Sequence, residues 1–138
     1  MKLLVDMIKE HEGWRPKPYK CTAGKLSIGY GRNLEDRGIT LEEADFMLRN
    51  DIQLCYHELD CFSWFRDLDE IRQYALVDLC YNLGLPGLLT FRKALAAMAE
   101  GRYDKAADEF LDSKWAKQDV PEWRSKRVTE MIRTGEAQ

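Results

Sequence analysis

Glu12-Gly13-Trp14-Arg15, Tyr19-Lys20-Cys21-Thr22 and Gly24-Lys25-Leu26-Ser27-Ile28-Gly29-Tyr30-Gly31 form one window of the 138-residue chain. Upstream of it, Leu3, Leu4, Met7 and Ile8 recur at helical spacing, with Lys2, Asp6, Lys9 and Glu10 elsewhere on the wheel. Glu12 continues the line Leu4, Ile8, Glu12 and Gly13 reads as the helix stop. A carboxyl on that core-facing stripe is partly desolvated, which raises its pKa and suits it to general acid work. The bland alternative is a glutamate in a frayed last turn, facing water. Thr22-Ala23-Gly24-Lys25 reads as a tight turn. Leu26, Ile28 and Tyr30 then alternate with Ser27, Gly29 and Gly31, so the spacing predicts a strand with an apolar packed face and an open hydroxyl-and-glycine face. Two glycines on one face suggest close approach by a ligand or another backbone. A small, poorly packed hairpin would give the same pattern.

These residues resemble the active-site region of phage-type lysozymes, the endolysins of glycoside hydrolase family 24. That family's pattern is Glu, eight residues, Asp or Cys, five residues, Thr, then Ile-Gly-x-Gly; here it stands as Glu12, Cys21, Ser27 and Ile28-Gly29-Tyr30-Gly31. Glu12-Gly13-x-Arg15 and Tyr19-Lys20 agree as well. Downstream, Phe91, Arg102-Tyr103-Asp104-x-Ala106-Ala107, Ser113-Lys114-Trp115, Arg124-x-x-Arg127-Val128 and Arg133-Thr134-Gly135 are similar to the family. The resemblance implies an α+β, mostly helical, lysozyme-like two-lobe fold and hydrolysis of the β-1,4 bond between N-acetylmuramic acid and N-acetylglucosamine. It implies Glu12 as the acid, Cys21 and Ser27 positioning water or stabilising the positive centre, and Arg124 pairing with Glu12. Gly29, Gly31, Tyr81 and Asn82 would line the sugar groove. The chain departs from the pattern at Ser27, where the family has Thr, and carries Cys rather than Asp at position 21. A thiol serves as base or nucleophile only when ionised, and the hydroxyl of Ser27 lacks the methyl that stiffens a threonine rotamer.

The remainder reads as helices. Thr40-x-x-Glu43 is a capping box opening a run from Leu41 to about Leu59, with Ala44, Met47, Leu48, Ile52 and Cys55 as its buried stripe. Phe62, Trp64 and Phe65 read as core plugs. A helix is expected from about Leu68 to Leu83, with Ile71, Ala75, Leu76 and Leu79 inward, Gly84 as its stop and Pro86-Gly87 as a turn. Further helices are expected over Phe91 to Ala99, Tyr103 to Leu111, and from Pro121 through Ile132. The expectation is a single domain over 1–138: an N-terminal lobe over about 1–40, a connecting helix over about 41–60 and a helical C-terminal lobe over about 61–138.

Composition is globular, 45% hydrophobic and 33% charged. A net charge of −3 argues against a nucleic-acid binder driven by phosphate neutralisation, and is unlike the basic balance of a protein steered to an anionic wall. Lys114, Lys117, Arg124, Lys126, Arg127 and Arg133 make the C-terminal stretch locally basic, bordering the cleft or forming a solvated helix face. Of the cysteines at 21, 55, 61 and 80, Cys55 and Cys80 read as small core residues, with no disulfide framework. No transmembrane span or signal peptide is recognised, so a reduced, monomeric chain is expected in the bacterial cytoplasm, with no stable membrane insertion. By resemblance, its partner is the glycan strand of peptidoglycan, reached through a holin.

Weaker constellations remain. His57 and Cys61 are a lone pair of possible metal ligands, and neither metal nor cofactor is expected. A thiol hydrolase built on Cys21 with His11 or His57 would need an orienting group and an oxyanion hole that the sequence does not display. Trp14, Trp115 and Trp123 could stack on sugars but read more readily as packing. The rival reading from another class is a weakly active or inactive module of the same fold, binding cell wall or a protein partner.

Overall fold

Residues Lys2–Glu12 form α1, which ends where the Gly13 N–H donates to the Lys9 carbonyl at 2.9 Å, as the glycine stop requires. The computed structural model describes residues 1–138 and divides the chain into two compact units, Met1–Met47 and Leu48–Gln138. The fold is α+β and mostly helical, with one small antiparallel sheet. No helix is long and apolar enough to cross a membrane.

The N-terminal unit holds α1, β1 (Arg15–Lys20), β2 (Leu26–Gly29) and β3 (Arg32–Asn33), in the sheet order β1-β2-β3. Two expectations are corrected here. The run 26–31 is not one strand: Gly29 and Gly31 take φ of +71° and +80°, so the chain turns at Tyr30 and Gly31 and returns as β3. The polarity of the faces is also inverted. Ser27 is 2% exposed, whereas Leu26 and Tyr30 are exposed and Ile28 is half-buried. A unit this short has too little apolar surface for a core of its own, and Ser27 is its one buried residue. The buried hydroxyl is satisfied locally, donating to the Lys25 carbonyl at 3.3 Å.

The helix α2 (Leu41–Leu59) opens on the expected capping box. Glu43 N–H donates to Thr40 Oγ1 at 3.1 Å, and Thr40 N–H donates back to Glu43 Oε1 at 2.9 Å. Arg32 grips the same carboxylate with both terminal nitrogens, at 2.9 and 2.6 Å. Of the expected α2 stripe, Cys55 is buried and Ala44 and Ile52 are half-buried, but Met47 and Leu48 are exposed. Burial follows the partner layer rather than helical period alone: Cys55 and Leu59 are the α2 residues that join the main core cluster.

That cluster lies within the C-terminal unit. It is built by α3 (Glu70–Leu89), α4 (Arg92–Ala99), α5 (Tyr103–Leu111) and α6 (Glu122–Thr134) around Leu76, Leu79, Met98, Phe110 and Ile132. Phe65 is buried at a 3-10 turn, with Phe62 and Trp64 packed against the cluster. α3 breaks at Gly84 (φ +74°, ψ 157°), as expected, but the chain re-enters the helix at once and Pro86-Gly87 is helical rather than a turn. Proline is tolerated there because it sits in the first turn of the resumed segment, where no intrahelical N–H partner is needed. Arg72 fastens the two ends of the unit. Its Nε donates to the Ile132 carbonyl at 2.6 Å, Nη2 to the Arg133 carbonyl at 3.0 Å and Nη1 to Asp69 Oδ1 at 3.0 Å. Its guanidinium lies 3.8 Å from the centre of the Tyr103 ring.

Candidate active site

Glu12 closes α1, and its carboxylate lies against the backbone of the hairpin turn. A Cβ placed on Gly31 would stand 3.0 Å from Glu12 Oε2 and 3.4 Å from its Cδ. The close approach signalled by the glycine is therefore made by the Glu12 side chain itself. Gly29 differs: a Cβ there meets nothing within 4 Å, so its requirement is the left-handed φ alone. Glu12 is solvent-exposed rather than set into a core-facing stripe, and α1 buries none of its residues. This corrects the expectation of a desolvated carboxyl.

Cys21 sits where β1 runs into the turn. Its N–H donates to the Lys25 carbonyl at 2.9 Å, and Gly24, at φ +78°, donates its N–H to the Cys21 carbonyl at 2.8 Å. The loop so closed aims backbone N–H groups at the sulfur. Those of Lys25, then Ala23, hold the thiol below its ordinary pKa against opposing desolvation, and the Ser27 hydroxyl adds to the effect when its proton turns from the Lys25 carbonyl to the sulfur. Hydrogen bonds to the charged form favour that form. The β1–β2 register pairs Tyr19 with Ser27 and Lys20 with Leu26, which carries Cys21 to the neighbourhood of Ser27. Glu12, Cys21, Ser27, Gly29 and Gly31 all belong to the N-terminal unit.

Tyr81, Asn82 and Arg124 belong to the C-terminal unit. Tyr81 and Arg124 border a cavity of about 430 Å³ that also takes in Tyr56, Tyr74 and Asp78. Arg124 Nη2 donates to Asp78 Oδ1 at 3.1 Å, and Asp78 Oδ2 is buried without a hydrogen-bond partner. Asn82 is partly committed: its Oδ1 accepts from Trp115 Nε1 at 2.9 Å. Sequence reading passed over Asp78. Its spacing with Tyr74 and Tyr81 on one face of α3 was the signal available.

The tryptophans separate. Trp115 is 2% exposed and is core, whereas Trp14 and Trp123 are 64% and 67% exposed and are not packed as expected. The basic C-terminal stretch is largely neutralised within its own unit. Lys114 pairs with Asp119, Lys117 with Asp112, Lys126 with Glu122, and Arg133 with Asp108 and Glu130. Acidic residues on α5, on α6 itself and in the segment 112–119 supplied partners that a reading of cations alone overlooked.

A family model described as "Phage lysozyme" matches residues 9–130. The chain is 27% identical to "Probable T4-type lysozyme 1" of Dictyostelium discoideum, over 96% of this chain and 94% of that protein. It is 34% identical to an endolysin of Acyrthosiphon pisum secondary endosymbiont phage 1, over 83% of this chain and 77% of that one. It is also 26% identical to the pre-baseplate central spike protein of Enterobacteria phage T4, over 96% of this chain but 28% of that much longer protein.

Proposed function

The chain belongs to the phage lysozyme family, and from that premise we propose that it is a peptidoglycan muramidase that cleaves the β-1,4 bond between N-acetylmuramic acid and N-acetylglucosamine. The observation that carries the reading is the placement of the Glu12 carboxylate against Gly31, in a unit that also holds Cys21 beside Ser27. In this mechanism Glu12 protonates the leaving glycosidic oxygen. Cys21, poised toward the thiolate, and Ser27 hold the attacking water or stabilise the oxocarbenium-like centre. Gly29 and Gly31 shape the hairpin wall. Tyr81, the free amide nitrogen of Asn82, and Arg124, which is held by Asp78, contribute further contacts to the glycan. Accumulation in the host cytoplasm, release through a holin and lysis of the cell belong to the same proposal.

The test is release of soluble muropeptides from purified peptidoglycan, with the new reducing ends identified, for wild type beside Glu12→Gln. Wild type is expected to produce muramic acid reducing ends and the folded Glu12→Gln variant none. A variant that still clears the wall removes Glu12 from its role. A second reading, a wall-binding module without turnover, is favoured by the pair Cys21 and Ser27 in place of carboxylate and threonine. Wall binding by a wild type that releases no reducing ends would establish it.

A further inference from the structure

Arg15 on β1 pairs with Gly29 on β2, so extending that antiparallel register by one residue sets Trp14 across from Tyr30. Their ring centroids are 5.6 Å apart with the planes tilted by 41°, and Lys9 Nζ lies 5.4 Å from the centre of the Tyr30 ring. Both rings stay open to solvent, Trp14 at 64% and Tyr30 at 41%. Tyr30 immediately precedes Gly31, on which the Glu12 carboxylate rests. The pair therefore stands one residue from the proposed acid.

Two properties of the surroundings identify an occupant. An aromatic face carries partial negative charge and attracts the partially positive C–H face of a pyranose, while the Tyr hydroxyl and the Trp N–H remain free to bond sugar oxygens. Lys9 in the last turn of α1, near the Tyr30 ring, and Arg15, Lys17 and Lys20 along β1 form no ion pair, nor does Arg37, whereas Lys2, Lys25 and Arg32 of the same unit are matched by Asp6, Asp36 and Glu43. Four cations without a salt-bridge partner thus lie on the end of α1 and along the edge strand β1. Such a strip attracts a polyanion.

Resting on the muramidase reading, we propose that Trp14 and Tyr30 form a stacking platform for an N-acetylhexosamine ring of the glycan strand, and that Lys9, Arg15, Lys17 and Lys20 draw in the carboxylates of its stem peptides. The platform positions the strand beside Glu12 and supplies attraction that the net charge of −3 does not.

The test uses the full chain carrying Glu12→Gln, so that binding is read without turnover. Tetra-N-acetylchitotetraose, an uncharged glycan, is titrated by calorimetry, and purified peptidoglycan by sedimentation over a range of salt. Trp14→Ile keeps an apolar, strand-favouring side chain opposite Tyr30 but removes the ring face. It is expected to weaken chitotetraose binding about tenfold, the scale of an anchoring aromatic, with Trp14→Phe restoring most of the loss. Lys17→Glu with Lys20→Glu is expected to leave chitotetraose binding unchanged and to flatten the salt dependence of wall binding. Undiminished chitotetraose binding by Trp14→Ile, or no binding by the parent, overturns the platform. If wild type then releases reducing ends, the muramidase reading stands. Weakened binding by Trp14→Ile beside a wild type that releases none keeps the platform and overturns the muramidase.

Discussion

Gly31 combines two constraints that ordinary side chains violate together: a φ of +80° and a Glu12 oxygen at 3.0 Å from where its Cβ would be. Gly29 carries only the first constraint. Alanine at either position costs about 1–2 kcal/mol in the left-handed region. Gly31→Ala should in addition displace the carboxylate and lower muropeptide release at least tenfold below that of Gly29→Ala, with similar melting temperatures for the two. Equal activities would show that Glu12 does not depend on that approach. Cys21 offers a separate reading. Its thiol is held low by the N–H groups of Lys25 and Ala23, so iodoacetamide should label it with a midpoint below the ordinary value of about 8.5. Ser27→Ala should move that midpoint up, as followed by peptide mapping. A depressed folded pKa means that the contribution to stability is present above the unfolded value and is lost as pH falls through the folded one. Cys80, pushed up to about 12 chiefly by burial, should resist labelling in the native protein. If Cys21 acts through its charge, Cys21→Asp should preserve or raise activity; its loss in a folded variant would mark a role specific to sulfur, such as nucleophile.

Among the elements, the entry to α2 concentrates the most local bonding. Arg32, together with the Thr40 N–H, brings the Glu43 carboxyl down to about 2. The stability it lends is present above the ordinary carboxylate range and is lost as the pH drops toward about 2. Glu43→Gln should lower the melting temperature at neutral pH and flatten its fall on acidification, measured by circular dichroism. Thr40→Ala should cost about 1 kcal/mol, the usual value of a lost N-cap. This entry was legible in the sequence because a capping box spans four residues and needs no distant partner. The same holds for α5, whose bounds Tyr103 and Leu111 follow from helical period and a preceding glycine-arginine break. Of the candidate site, the spacing of Glu12, Cys21 and Ser27 could be read, and the glycines announced a close approach. The neighbour that makes the approach could not be read. Nor could the facing of Ser27, since alternation specifies two faces and tertiary packing chooses which is buried. Arg124 shows the same limit: its partner Asp78 lies 46 residues away.

At the scale of the molecule, stability is concentrated in one unit. Every residue of the main apolar cluster lies between Cys55 and Ile132. Phe110→Ala, which would empty a fully buried site, should cost about 3–5 kcal/mol. Native-state hydrogen exchange should show amides of Ala75–Cys80 exchanging last and those of the small sheet sooner, because few buried contacts oppose local opening there. Equal protection in both would contradict this distribution. Arg72 has a consequence for synthesis. It reaches carbonyls 60 and 61 residues further along the chain, and a chain leaves the ribosome N-terminus first. While residues 132 and 133 are still in the exit tunnel, the guanidinium has no acceptors at that end and α6 cannot cover α3. The nascent unit therefore holds an open apolar face until α6 has emerged, and closes on the last turns of that helix. A stalled chain is left as a substrate for chaperones and proteases rather than as a shorter, working fold.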